Sequence, residues 1–202
     1  MSEIRCISPI DGSVVAARPS VGLEHARAVI ASACAARAAW AERPLKDRIA
    51  AVIAGMEALG AVNKEIVPEL ARMMGRPVRY GGEFGGVEER IRHMASIATE
   101  TLADIEVSED AGFRRYIRRV PHGVIFVVAP WNYPYMTAIN TIAPALIAGN
   151  AVVLKHATQT LLAGDRLAAA FHAGGVPEDV FVNLTLDHDT TCLLYTSDAA
   201  DE

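Results

Sequence analysis

One stretch of this chain restricts its fold more than any other: from Gly123 to Leu154 there is no charged residue and no histidine. A helix of about 20 apolar residues is enough to cross a bilayer, so the run is long enough to span one. Pro130, Asn132, Pro134, Pro144 and the pair Gly149-Asn150 interrupt it too often for that. A strand, a helix and a second strand buried inside an α/β domain give the same composition, and no membrane association is expected.

The residues bear that pattern out. Val124 to Val128 is a continuous apolar run, read as a strand buried on both faces; Met136 to Ile147 is helical; Gly149-Asn150 turns the chain; and Ala151 to Leu154 is a second buried strand. A helix over about Leu161 to Ala173 ends at Gly174-Gly175, and Val180 to Val182 makes a third short strand. The fold class is therefore α/β, with a βαβαβ unit whose parallel sheet binds ligands where the strands end. Those loops are Ala129–Pro134 and Lys155–Thr160.

The first hundred residues read as helices, each with one apolar stripe. The stripes are Leu23, Ala26, Ile30, Ala33 and Trp40, with Ser20 as N-cap; Leu45, Ile49, Val52, Ile53, Met56 and Leu59, after Pro44; Ile66, Leu70 and Met73, stopped by Gly75 and Pro77; and Val87, Ile91, Met94, Ala98 and Leu102. Phe113 to Val120 interleaves four arginines with β-branched and aromatic residues and reads as an exposed edge strand, where charge blocks unwanted pairing. The expected organisation is helices over 1–107, the edge strand over 108–122 and a cofactor-type α/β unit over 123–191. Gly81 to Gly86 follows no strand and lacks the spacing of a phosphate loop, so it is read as a helix start.

Composition narrows the function classes. With 19 Lys and Arg against 24 Asp and Glu, the net charge of -5 gives no field for nucleic acid. Cys6, Cys34 and Cys192 have neither zinc spacing nor an even count, which suits a reducing, cytoplasmic setting and no metal site. Met1 to Asp11 carries charge and no long apolar run, so no secretory signal is expected. Small-molecule chemistry remains.

Two residues stand where ligands bind. Asn132, between Pro130 and Pro134, has a neutral amide that can donate to a developing oxyanion; the alternative is a turn asparagine bonding its own backbone, which is commoner in loops at large. Lys155 is the first charge after the uncharged run and ends the second strand. It can meet a phosphate or ribose, or simply be solvated, and position alone favours neither.

The segment Gly123-Val-Ile-Phe-Val-Val-Ala-Pro-Trp-Asn-Tyr-Pro134, followed by Ala143-Pro-Ala-Leu-Ile-Ala-Gly-Asn-Ala-Val-Val-Leu-Lys155, resembles the aldehyde dehydrogenase family nearly residue for residue. Ser8 to Gly12, Trp40 with Pro44 and Arg48, and Met74 to Pro77 are similar to its N-terminal landmarks, and the resemblance extends to about Thr191. It implies NAD or NADP as cofactor, a small-molecule aldehyde as substrate, a truncated Rossmann-like cofactor domain, and a dimer or tetramer built on the 113–120 hairpin. By position, Asn132 would hold the oxyanion, Val128, Ala129, Pro130 and Trp131 would line the nicotinamide side, and Lys155 would bond the adenosine ribose. Two departures follow Lys155. His156 replaces a proline and is expected to be partly exposed. Thr158 stands where a glutamate would repel a 2′-phosphate, which leaves room for NADP.

The family's chemistry also needs a cysteine nucleophile and a glutamate base, and neither later motif is found here. Cys6 and Cys34 are read as small apolar fillers. Residues 192–202, opening at Cys192, do not continue the family pattern and resemble a translated sequencing adapter, so they are read as a non-native tail. Two functions follow: an oxidoreductase that turns an aldehyde into an acid, of which this chain is an inactive piece, or a nucleotide-binding or scaffold module without turnover.

Overall fold

The computed structural model of the chain describes residues 3–110 and 112–198. It opens with an antiparallel hairpin of β1 (Glu3–Ile7) and β2 (Val14–Pro19), where the sequence suggested only helix. Within its two strands only Cys6 and Ala16 are buried, too few for an alternating pattern to stand out. Its turn is local chemistry: the Asp11 carboxylate accepts the Ser13 amide and hydroxyl, and Gly12 adopts a φ of 73°.

Four helices follow: α1 (Leu23–Glu42), α2 (Leu45–Ala61), α3 (Asn63–Met74) and α4 (Phe84–Thr101). The apolar stripes are their buried faces: Ala26, Ala33 and Trp40; Val52, Met56 and Leu59; Ile66, Leu70 and Met73; Val87, Ile91 and Ala98. Gly75 closes α3 in the left-handed region, donating to the Ala71 carbonyl. Ser20 is not the cap of α1. Gly22 holds that position, and the buried Ser20 hydroxyl accepts the Asp187 amide at 3.2 Å, tying the entry of α1 to the far end of the chain.

The next hairpin, β3 (Ile105–Asp110) with β4 (Phe113–Ile117), begins inside the segment read as helical. All of β4 is exposed. Two of the arginines here are ion-paired, Arg114 of β4 with Glu106, and Arg118 just past it with Asp104 at 2.9 Å.

The expected βαβαβ unit is present as β5 (Val124–Ala129), α5 (Pro134–Ile147), β6 (Ala151–His156), α6 (Leu161–Ala173) and β7 (Phe181–Asn183), in a parallel sheet of order β5-β6-β7. β6 is the buried centre, with α1, α5 and α6 packed against it. β5 differs from expectation. It pairs only with β6 among the described residues, and Val128 near its end is 50% exposed, because an edge strand has no neighbour to cover it. The described residues finish in α7 (His188–Asp198), which buries Leu194.

The helical segment holds the far end of α5. The Trp40 indole donates to the Leu146 carbonyl at 2.9 Å, and Arg48 to that of Ile147 at 2.9 Å. Buried Asn150 then accepts the Gly123 amide and donates to the Ala145 carbonyl, which sets the start of β5 beside the end of α5.

Candidate active site

The parallel register pairs Val128 with Lys155 and Ala129 with His156, so the exits of β5 and β6 lie side by side. Pro130 is half-buried, and Trp131, Asn132 and Tyr133 face solvent; Trp131 is 53% exposed. Pro134 then opens α5, where a residue without an N–H leaves no helical bond unmade. Asn132 makes no hydrogen bond with the described residues, so its amide is not consumed by its own turn.

What fixes this loop is the chain that follows it. The Glu83 carboxylate accepts the amides of Tyr135 and Met136 at 3.1 and 2.8 Å. Arg76 donates to the other Glu83 oxygen at 2.6 Å, and its guanidinium lies 5.4 Å from the centre of the Tyr133 ring. These amides form the positive end of α5, so a carboxylate already occupies the place where a helix start would take a phosphate.

His156 is fully enclosed at 4% exposure, contrary to the expectation of a partly exposed histidine. Its Nε2 lies 3.1 Å from the Pro134 carbonyl, which can only accept, so Nε2 carries the proton; Nδ1 then accepts the Thr160 hydroxyl at 3.2 Å. Burial holds the ring's pKa below its ordinary value. Where the resemblance implied a proline, this chain therefore has a tie between its two strand-exit loops.

Lys155 is half-buried, has no ion pair among the described residues, and has its pKa lowered by desolvation. Thr158 is exposed at the start of a 3-10 turn, Thr158–Thr160. The second loop is braced from behind: Gln159 donates to the Ile7 carbonyl at 3.1 Å and to that of Met73, and the Cys6 thiol donates to the Gln159 carbonyl at 3.1 Å.

No thiol stands among these elements as an exposed nucleophile. Cys6 is a buried filler as expected, whereas Cys34 is exposed on α1, because its position falls outside the stripe that includes Ala33. Cys192 is exposed on α7 with its Sγ 3.6 Å from His188 Nε2. Among the described residues no group of His, Cys, Asp and Glu is placed to hold a metal, and no helix is long and apolar enough to cross a membrane. A cavity of about 620 Å³ between α1, α6 and β7 touches neither strand-exit loop.

The model of the aldehyde dehydrogenase family matches residues 1–199. The chain belongs to that family. Among similar aldehyde dehydrogenases are the vanillin dehydrogenase of Corynebacterium glutamicum, 32% identical over 176 residues, and the benzaldehyde dehydrogenase [NAD(+)] of Pseudomonas putida, 32% identical over 177. Each alignment takes in 86% of this chain but only 36% of the relative, so the chain spans little more than a third of their length. The NADP-dependent glyceraldehyde-3-phosphate dehydrogenase of Streptococcus equinus is 31% identical, covering 91% of this chain and 40% of that protein. A solved NAD-dependent benzaldehyde dehydrogenase from Corynebacterium glutamicum superposes with a TM-score of 0.89 at 27% identity, covering 97% of this chain and 43% of the other. The aldehyde dehydrogenase match runs past Thr191, where the sequence pattern ends, and α7 runs through the same point; residues 199–202 lie outside the described residues.

The strand ends thus bring Val128 beside Lys155 and Ala129 beside His156, with Pro130, Trp131 and Asn132 following in the first loop and Thr158 in the second. Glu83, Arg76 and Gln159 were not singled out by the sequence. Reading Gly81–Gly86 as a helix start is correct for the backbone, but the Glu83 carboxylate acts 52 residues away, which no local pattern encodes.

Proposed function

We propose that this chain is the Asn132-bearing piece of an NAD(P)-dependent aldehyde dehydrogenase, which converts an aldehyde, water and NAD(P)+ into a carboxylate and NAD(P)H. The observation that carries the reading is Asn132 itself: an exposed amide without a partner, on a loop held from behind, at the exit of a strand whose Val128 lies in register with the unpaired Lys155. The Asn132 N–H donates to the oxygen that turns negative as a nucleophile adds to the carbonyl. Trp131, with Val128, Ala129 and Pro130, offers a face for the nicotinamide side; Lys155 bonds the adenosine ribose. The bound dinucleotide supplies the hydride acceptor. Uncharged Thr158 leaves room for a 2′-phosphate, so NADP is accepted alongside NAD. The exposed β3–β4 hairpin carries a dimer or tetramer of the whole protein, in a cytoplasmic setting.

A second reading has one observation in its favour. None of the three cysteines is on the elements that carry Asn132, so the 202-residue chain is a nucleotide-binding module without turnover. Fluorescence titration with NADPH and NADH tests both. Both nucleotides are expected to bind, Lys155→Ala to weaken binding on the order of tenfold, and aldehyde oxidation to stay at background. Failure of either nucleotide to bind sinks the cofactor reading, and thiol-dependent turnover sinks the second.

A further inference from the structure

Three side chains from three separate segments converge on residues 133–136, immediately after Asn132: Arg76 just past the end of α3, Glu83 at the start of α4 and His156 at the end of β6. The middle one is unusual for its place. Glu83 occupies the N-cap position of α4, where its side chain makes no cap for its own helix. Its carboxylate, 1% exposed, is turned instead to the first amides of a different helix, α5, and Arg76 neutralises it there. Burying a carboxylate is unfavourable unless it is paired and hydrogen-bonded, and every partner it has here fixes the segment that follows Asn132.

We infer that Glu83 is a positioning residue for the Asn132 loop, acting through the Tyr135 and Met136 amides, with Arg76 setting the carboxylate and His156 holding the Pro134 carbonyl from the β6 side. The geometry separates two tasks. Trp131 and Asn132 keep their side chains in solvent, while the Tyr133 ring meets Arg76 and the backbone just beyond it is held by an anion and an imidazole. A loop fixed in this way presents Asn132 without having to be ordered when a ligand arrives. This role rests on the cofactor and oxyanion reading above.

Hydrogen exchange on the 202-residue chain, with Glu83→Ala and Glu83→Gln, tests it. Glu83→Ala is expected to speed exchange at Tyr135 and Met136 by on the order of tenfold or more, while Val153 and Leu154 in β6 keep their protection. Glu83→Gln keeps an acceptor oxygen and is expected to restore most of the protection. NADPH affinity is expected to fall by on the order of tenfold in Glu83→Ala and to recover in Glu83→Gln. Unchanged exchange at the two amides overturns the inference. So does exchange that rises equally in β6, since Glu83 would then support the whole fold rather than the loop. If the wild-type chain fails to bind NADPH, the cofactor reading falls, and the exchange ratio still decides whether Glu83 fixes the loop.

Discussion

At its carboxyl end α5 gives the Leu146 and Ile147 carbonyls to Trp40 and Arg48, whereas at its amino end it gives the Tyr135 and Met136 amides to Glu83. Both ends follow the same rule, that unpaired groups of a buried helix terminus must find side-chain partners. Their surroundings differ. At the carboxyl end the partners are buried and the chain turns at once through Gly149-Asn150 into β6. At the amino end the capped turn leads back to a solvent-facing loop. One end is held to complete the fold, the other to present side chains, and substitutions should separate the two.

The largest effect is expected at the closed end. Arg48 also donates to the Ala41 and Arg43 carbonyls, so Arg48→Ala strips several buried acceptors and should lower unfolding free energy by about 3 kcal/mol in urea denaturation. A loss under 1 kcal/mol would remove the distinction between the ends. Trp40→Phe keeps an aromatic ring but removes the indole donor, leaving the Leu146 carbonyl to the Gly149 amide alone and a gap beside the smaller ring, and about 2 kcal/mol should go.

A smaller, pH-dependent effect belongs to the open end. His156 has its pKa depressed below 6.5 by burial, with Lys155 adding to the shift, so the unfolded chain takes up a proton before the folded one does. The stability held by the neutral ring is therefore fully present well above pH 6.5 and declines as pH falls through it, by at most about 0.7 kcal/mol between pH 7 and pH 6. His156→Gln should flatten that part of the profile; an unchanged slope would assign it to other groups. Least of all is expected from Asn132→Ala, which should alter thermal stability by less than about 0.5 kcal/mol because its amide has no partner to lose. A cost above 1 kcal/mol would restore the turn-asparagine reading.

The same contrast explains what was legible in the sequence. Helix stripes and the order strand, helix, strand, helix, strand are encoded in spacing that repeats locally, and Leu70, Ile91 and Leu154 are buried as that spacing requires. The strand-exit loops were legible too, since Pro130, Asn132, Pro134 and Lys155 punctuate a long uncharged run. The β1–β2 hairpin was not, because its strands are short and mostly exposed. Glu83, Arg76 and His156 were not, because their partners lie far along the chain or, for a residue in a proline's place, depend on an acceptor that only the fold supplies.

The plugged ends of α5 also bear on how the protein can be divided. A boundary drawn between residues 107 and 123 looks like a natural cut between a helical half and a nucleotide-binding half. Cutting there would remove Trp40, Arg48 and Glu83 together and strip these side-chain partners from both termini of the central helix. The two halves are grafted through α5, and transplanting the α/β unit alone into another scaffold requires rebuilding an anion at one end and a donor pair at the other.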